Sequence, residues 1–470
     1  MNSSLQSCQK LLSVCMIVKN ESFILKQCLE SLKKCADEIV VVDTGSQDNT
    51  VNIAQEFGAK TILSDWRDDF SYSRNISLKN ATGRWILWID ADDIIPEDSA
   101  KKINELKKTT PDKVYAFIVK NENPGNTGSE FYQARMFPNR PDIYFERRIH
   151  EQMMLSALRA GLKLTNTNVT IEHLGYSDPQ KVKEKAKRNI KILIEEIKNF
   201  PHDATMSIEI ADNYLLLDVV DNALEWYKKT LNIPNCENNF PEIASQAYLG
   251  LGNICNKREK YFDAINYCQK SVRLCPNRAD ALYSLAVAMD LSGDLFSARK
   301  TLEYILTTEP RIYSVGVNYR EAKIKSYLRL ERILYDLNKT EEAYNLCNKA
   351  LADFPNRPEI LDMAGRVYYR NNKLIDALHF FENSLKINYK DNIEAFIGLC
   401  YIYVAAGRKE TALKTLEDIK EDFKHKPIYW SFYSMLTSNK IIIPEEINSK
   451  EIERENNTIL KLYGKLGDKK

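Results

Sequence analysis

The chain holds only five histidines among its 470 residues, no cysteine pair spaced as CxxC, no long apolar run and a net charge of only +1. Each scarcity excludes something. Lys and Arg total 66 against 65 Asp and Glu, so a generic nucleic-acid binder, which needs surplus positive charge to meet phosphates, is not expected. The apolar candidate Ala395 to Gly407 has 13 uncharged residues. That is short of the roughly 18–20 that span a bilayer, so it reads as a buried helix and no transmembrane segment is expected. Lys10 and the apolar run Leu11 to Val18 imitate a short signal peptide. Lys19, Asn20 and Glu21 stand where small residues would permit cleavage, so a first β-strand is expected instead. The ten cysteines are scattered, which argues against a zinc or redox pair. In a chain without an export signal this points to reduced thiols in a cytoplasm.

Hydrophobic residues make up 44% of the chain, enough for packed cores, and the length suggests about three domains. Two halves differ in grammar. Over the first 180 residues or so, apolar runs alternate with helical spacing. Leu12–Val18, Ile39–Val42 and Trp85–Ile89 read as buried strands, and Ile24, Leu25, Cys28, Leu29 and Leu32 follow a helix period. Strand alternating with helix predicts a parallel or mixed α/β sheet. The polar stretch Asp43–Thr50 reads as a turn in which Asp48 or Asn49 caps the next helix.

From about Ala204 helical spacing takes over and a period emerges. Gly252, Ala264 and Pro276 recur 34 residues later as Ala286, Ala298 and Pro310. Ala343 and Pro355 follow after one further period plus an 11-residue insertion, then Gly365 and Ala377; Ala211 with Ala223 and the later Ala412 extend the series. A small residue on each helix lets two backbones approach, and a proline closes the second helix. These residues resemble the tetratricopeptide repeat family, in about six units over roughly 200–425, which implies a surface for a peptide or protein partner.

Asp43 and Asp90 each end an apolar strand, and ligands in open α/β sheets bind at that edge. Asp90-Ala91-Asp92-Asp93 follows the third run. In an extended segment Asp90 and Asp92 would project to one side and suit a hard divalent cation. Chance supplies about nine acidic pairs at that spacing in this composition, so context must carry the assignment; the alternative is a solvated turn.

The ordered context is specific. Ser13–Glu21, Val41–Ser46 with Asp48 and Thr50, Trp66 with Asp69-Phe70-Ser71 and Arg74-Asn75, and Trp88–Asp93 together resemble family 2 glycosyltransferases of the GT-A fold. Arg135-Met136-Phe137, Ile149-His150-Glu151, Glu172–Tyr176 and Lys187-Arg188-Asn189 extend the likeness to repeat-tailed members, including the S-glycosyltransferases of glycocin precursor peptides. The resemblance implies that Asn20 or Glu21 and Asp43 hold the uridine and ribose of a UDP-sugar, and that Arg74 meets the nucleotide or its diphosphate. It implies that Asp90 and Asp92 bind Mn²⁺ or Mg²⁺. His173 could complete the metal site, and Glu151 could be the general base. Trp66 and Phe70 read as structural.

The expected layout is a GT-A catalytic domain over 11–180, a basic linker helix over 181–203, a repeat domain over 204–425, and a capping helix with a charged tail over 426–470. The expected activity is metal-dependent, inverting hexosyl transfer to a Cys or Ser/Thr side chain of a peptide or protein. Polysaccharide or glycolipid assembly is an alternative, and a non-catalytic scaffold is another. A nucleotidyltransferase fits poorly, because Lys19–Ser22 lacks the glycines that cradle a triphosphate. Repeat surfaces often mediate homodimers, which leaves oligomeric state open, as it leaves the sugar.

Overall fold

A computed structural model describes residues 10–121, 130–175, 179–309, 311, 313, 315–437 and 449–463. Tyr176 of the extended motif, Pro310 of the repeat signature, and segments 438–448 and 464–470 of the expected tail lie outside the described residues. The chain divides into two compact units, and the division falls within the repeats: Met1–Ser284 with Pro310–Tyr319, and Leu285–Glu309 with Arg320–Lys470.

The first unit opens on an eight-stranded mixed sheet. Its strands are β1 (Leu12–Val18), β2 (Glu38–Asp43), β3 (Lys60–Leu63), β4 (Trp85–Trp88), β5 (Asp93–Ile94), β6 (Lys113–Asn121), β7 (Glu130–Pro138) and β8 (Lys163–His173). They lie in the order β3-β2-β1-β4-β7-β6-β8-β5. β3, β2, β1 and β4 are parallel. β7 pairs antiparallel with both β4 and β6, and β5 pairs antiparallel with β8. β1, β2 and β4 are built on buried apolar runs because both faces are covered, whereas β3, at the sheet edge, is largely exposed. Their helices are α1 (Leu25–Leu32), α2 (Thr50–Glu56) and α3 (Phe70–Asn80), followed by α4 (Glu97–Leu106) and α5 (Met154–Arg159). α1 buries Leu25, Cys28, Leu29 and Leu32, the stripe its spacing predicts. Each such leucine contributes about 1.5–3 kcal/mol on burial.

The same unit continues through α6 (Pro179–Glu196), α7 (Ala204–Leu216), α8 (Val220–Leu231), the one-turn α9 (Cys236–Asn239), α10 (Pro241–Lys257), α11 (Tyr261–Leu274) and the start of α12 (Ala279–Leu291). α6 carries the basic run on its exposed side, while Ile192, Leu193 and Ile197 at its end pack with Ile149, Met206 and Ile210.

The second unit takes the rest of α12, then α13 (Leu295–Thr307), α14 (Tyr319–Asp336), α15 (Thr340–Asp353), α16 (Pro358–Arg370), α17 (Leu374–Ile387), α18 (Ile393–Ala405), α19 (Lys409–Asp418), α20 (Lys420–Phe423), α21 (Pro427–Thr437) and α22 (Ser449–Tyr463). Among the described residues six helix pairs follow one another, α7/α8, α10/α11 and α12/α13 through α18/α19. Ala211, Ala223, Ala264, Ala286, Ala298, Ala343, Ala377 and Ala412 are all fully buried. A Cβ at Gly252 would stand 2.5 Å from the Cys268 sulfur, and one at Gly365 would stand 2.5 Å from the Phe381 ring. The small residues therefore set the helix spacing. The insertion falls in the connection 308–318, where Val317 bridges to Glu130 of β7.

Candidate active site

The carboxyl ends of β1, β2 and β4 carry two neighbouring features. The first is a cleft of about 400 Å³ lined by Asp43, Gly45, Ser46, Leu63, Ser64 and Asp65. Asp43 ends β2 at 2% exposure. Its Oδ1 accepts from the amides of Gly45 and Ser46 at 3.0 and 2.9 Å, and its Oδ2 accepts from the Ser46 hydroxyl. Gly45 permits this turn with φ of +100°. Asn20, in the left-handed region, clasps the same turn: its amide donates to Ser46 Oγ at 2.8 Å and its Oδ1 accepts from Gln47 N at 2.8 Å. The Glu21 amide donates to Thr50 Oγ1 at 2.8 Å. Asn20 thus shapes the rim of the cleft. Leu63, 73% exposed, gives it an apolar wall beside the polar Ser64 and Asp65.

The second feature is a charged cluster after β4. Residues 91–92 form a turn, closed by Asp93 N donating to Asp90 O at 3.1 Å. This corrects the expectation of an extended segment with Asp90 and Asp92 on one side, and the two carboxylates find different partners. Arg74 Nη2 donates to Asp90 Oδ1 at 2.7 Å, and Arg74 Nε donates to Glu151 Oε1 at 2.5 Å. The Arg74 guanidinium lies over the Trp88 ring at 4.3 Å, and that of Arg135 lies over the same ring at 3.8 Å. Asp92 and Asp93 instead turn to His173, 3.5 and 2.8 Å from its Nδ1. β-Pairing causes this meeting, since Asp93 and His173 are register partners across β5 and β8.

Asp93 organises the cluster from behind. It is fully buried, accepts from the Asp90 amide at 2.9 Å, pairs with Arg135 at 3.0 Å and holds His173 Nδ1. With Nδ1 committed, Nε2 is the imidazole nitrogen left for a metal, the arrangement by which a buried carboxylate orients a metal-binding histidine. Asp92, Asp93 and His173 each offer a ligand atom, all within 4.8 Å of one another.

The electrostatics show an excess of negative charge. Burial alone would push the Asp90 carboxyl up, but Arg74 and Arg135 bring it down to about 2. Burial pushes Asp92 up against the pull of His173, and Asp90 and Asp93 add to the rise. Burial opposes the charged imidazole, yet the surrounding carboxylates raise the His173 pKa. Among the described residues, Asp90, Asp92, Asp93 and Glu151 gather around Arg74, Arg135 and the His173 imidazole. Four carboxyl groups thus outnumber the three basic side chains beside them.

Glu151 reaches the cluster on a loop pinned from several sides. Asn75 donates to Phe145 O at 2.9 Å and accepts from Phe145 N at 2.8 Å. Phe70 N donates to Arg148 O at 2.7 Å, Glu196 accepts from Arg148 N at 3.0 Å, and Arg147 pairs with Asp203. Arg147 and His150 take φ of 76° and 50°, a strained geometry that persists only where surroundings enforce it.

The structure therefore brings together Arg74, Asp90, Asp92, Glu151 and His173, and places Asn20, Glu21 and Asp43 at the neighbouring cleft. Arg135 and Asp93, present in the motifs without an assigned role, are central. Arg135 directly before the buried Met136-Phe137 pair was the signal for the first.

A parallel-edged sheet with an acidic cluster at its strand ends, followed by helical repeats, is a GT-A-like fold with a repeat tail. Residues 13–164 match the family model described as "Glycosyl transferase family 2". A TPR repeat-containing protein of Synechococcus elongatus is 34% identical over 288 residues, which are 60% of this chain and 70% of that one. The chain belongs to glycosyl transferase family 2 and carries tetratricopeptide-type repeats; it is a glycosyltransferase. The SPbeta prophage-derived glycosyltransferase SunS of Bacillus subtilis is 27% identical over 387 residues, 79% of this chain and 85% of that one. Among solved structures, S. aureus TarS 1–349 in complex with UDP-GlcNAc is similar with a TM-score of 0.29 and 16% identity, covering 66% of this chain and 96% of that chain. No helix among the described residues is long and apolar enough to cross a membrane.

Proposed function

We propose that this glycosyltransferase is metal-dependent, takes a UDP-sugar, and transfers its hexose with inversion to a Cys or Ser/Thr side chain of a peptide or protein bound partly by the repeats. The observation that carries the reading is the cluster of carboxyl groups, in excess of its basic partners, beside an imidazole oriented by Asp93. The donor set fits a divalent cation: Asp92 and His173 Nε2 would bind it directly, with Asp93 fixing the imidazole. Oxygen ligands suit Mg²⁺ or Mn²⁺, and the imidazole favours Mn²⁺. A cation held there would supply charge neutralisation for a leaving diphosphate.

The chain's own residues do the rest. The Asp43 cleft takes uridine, with Leu63 against the base and Ser64 and Asp65 at its rim. Arg74 holds the Asp90 and Glu151 carboxylates in fixed positions. Glu151 accepts the acceptor's proton while its sulfur or oxygen bonds to the anomeric carbon and the bond to UDP breaks. A thiol, with an ordinary pKa near 8.5, needs less of this help than a hydroxyl.

The test is UDP release from a panel of UDP-sugars with Mn²⁺, with Mg²⁺ and with EDTA, and with small Cys- or Ser-containing peptides added. We expect one donor to be turned over with metal and at least a hundredfold loss in Asp92→Ala. Equal turnover in EDTA would refute the metal role. No UDP binding by calorimetry with Mn²⁺ present would refute the donor assignment.

A further inference from the structure

β4 ends on Trp88, buried at 6% exposure, and several parts of the first unit meet on its side chain. Its Nε1 donates to the Ala134 carbonyl of β7 at 2.7 Å, just past Leu87 and Met136, the pair at which the β4–β7 ladder ends. That bond fixes the plane of the ring. Phe145, on the loop leading to Glu151, stands edge-on to the ring at 5.8 Å. The guanidiniums of Arg74 from α3 and Arg135 from β7 lie over it at 4.3 and 3.8 Å.

The two cations are buried, alike in charge and close together. Each reaches the Asp90 carboxylate, Arg74 at 2.7 Å and Arg135 at 3.8 Å. Each also leaves a buried nitrogen without a hydrogen-bond partner among the described residues, Nη1 in Arg74 and Nε in Arg135. A buried donor left unpaired is costly, and a planar guanidinium is the cation that stacks on an aromatic face. The indole supplies here what an oxygen would supply elsewhere, and the attraction strengthens where water is excluded. A leucine at the end of β4 would serve the core as well, but it could neither attract two cations nor donate to Ala134.

What each arginine holds in turn differs. Arg74 Nε donates to Glu151 at 2.5 Å. Arg135 pairs with Asp93 at 3.0 Å, and Asp93 holds His173 Nδ1 at 2.8 Å. A ring that fixes both arginines therefore fixes both lines of contact at once.

We propose that Trp88 is a positioning residue for glycosyl transfer: its indole locks Arg74 and Arg135 in place together, and so ties the placement of Glu151 to that of His173. That Glu151 takes the acceptor's proton and that His173 takes a cation rest on the transferase reading; the joint placement of the two arginines does not.

The test compares the full chain with Trp88→Leu, which removes the aromatic face and the N–H, and with Trp88→Phe, which keeps a face. Circular dichroism and urea midpoints give the folded fraction. In chains grown with ¹⁵N-labelled arginine, the Nε–H signals of Arg74 and Arg135 report each guanidinium without metal or turnover; Arg74→Lys and Arg135→Lys assign them. We expect both signals to move and to exchange with water at least tenfold faster in Trp88→Leu, and less than threefold faster in Trp88→Phe. On a UDP-sugar that the unaltered chain turns over with Mn²⁺, kcat per folded chain should fall on the order of a hundredfold in Trp88→Leu, the cost of misplacing a catalytic group by an ångström. KM for the donor should stay within threefold, and Trp88→Phe should recover most of kcat. A residue that only fills the core would leave kcat per folded chain unchanged, and that result overturns the proposal. So does a folded Trp88→Leu chain in which only one arginine signal moves, or neither. Should Trp88→Leu fail to fold, the chain grown with 5-fluorotryptophan, whose ring is poorer in electrons at nearly the same size, takes its place: both exchange rates should rise at least twofold, and unchanged rates overturn the proposal. Absence of turnover in the unaltered chain tells against the UDP-sugar reading, whereas unmoved arginine signals tell against the role of Trp88.

Discussion

Asp93→Asn probes the centre of the charged cluster. The substitution keeps the shape of the side chain and removes its charge. Asp93 is fully buried and is the nearest counter-charge of Arg135, itself 2% exposed, at 3.0 Å. Removing one partner of a buried pair costs about 3–5 kcal/mol, because the other charge is left without compensation. Here the low end applies, about 3 kcal/mol, since Asp90 Oδ2 stands 3.8 Å from the same guanidinium nitrogen and offsets part of the loss. For a unit of this size that lowers the thermal midpoint by about 5 °C. Urea unfolding followed by tryptophan fluorescence reports it well, since Trp66, Trp85, Trp88 and Trp226 lie in the first unit and Trp88 stacks on Arg135. The same change loosens the bond that orients His173, and losing such an outer partner weakens metal binding about 10–100-fold. Calorimetric titration with Mn²⁺ reads this directly. A variant with an unchanged urea midpoint and unchanged Mn²⁺ affinity would refute both the structural role of Asp93 and the use of His173 as a ligand.

Two further outcomes follow from buried charges in the repeats. Arg366→Met leaves Glu331 alone at zero exposure and should cost about 3–5 kcal/mol in urea unfolding, most of it recovered in Arg366→Met with Glu331→Leu. Burial raises Asp212 to about 7, against the pull of its bond from Tyr227. A carboxyl whose folded pKa exceeds its unfolded value favours folding at low pH, and that contribution is lost as pH rises from about 4 through about 7. Asp212→Asn should therefore gain stability relative to the unaltered chain between pH 5 and 8; urea midpoints that keep a constant offset over that range would contradict this.

The elements legible from sequence were those whose signal is local. β1, β2 and β4 carry buried apolar runs because both faces are covered, and α1 shows its buried stripe in its spacing. The repeats were legible because Gly252, Gly365 and the buried alanines sit where two helices must touch. β8 was not, since its first half, Lys-Leu-Thr-Asn-Thr-Asn, is mostly polar and largely exposed, and its pairing with β6 and β5 makes it a strand. The site divides in the same way. Its residue types could be named from motifs, but their partners could not. Arg74 stands against Glu151, 77 residues away, rather than facing outward, and Asp93 meets a histidine 80 residues away. Asn20 spends its amide and its side-chain oxygen on the turn after β2. The turn at 91–92 defeated the same-side argument because Asp93 folds back on the Asp90 backbone, a contact no spacing rule contains.

The loop that carries Glu151 shows why the first unit includes repeat helices at all. One side of this loop is held by α3, through Asn75, Phe70 and Ser71. The other side is held by groups beyond the sheet: Glu196 of α6 on the Arg148 amide, Asp203 on Arg147, and Glu209 of α7 3.5 Å from His150. Ile149 packs among Ile192, Leu193, Met206 and Ile210. Two of its residues have positive φ, so the loop would relax if either side let go. The helices after residue 179 are thus part of what fixes the Glu151 carboxylate beside Arg74. A strain or contact change in α6 or α7 can reach the candidate base through four residues of backbone, while the sheet, the Asp43 cleft and the Asp92–His173 pair stay where the strand register puts them.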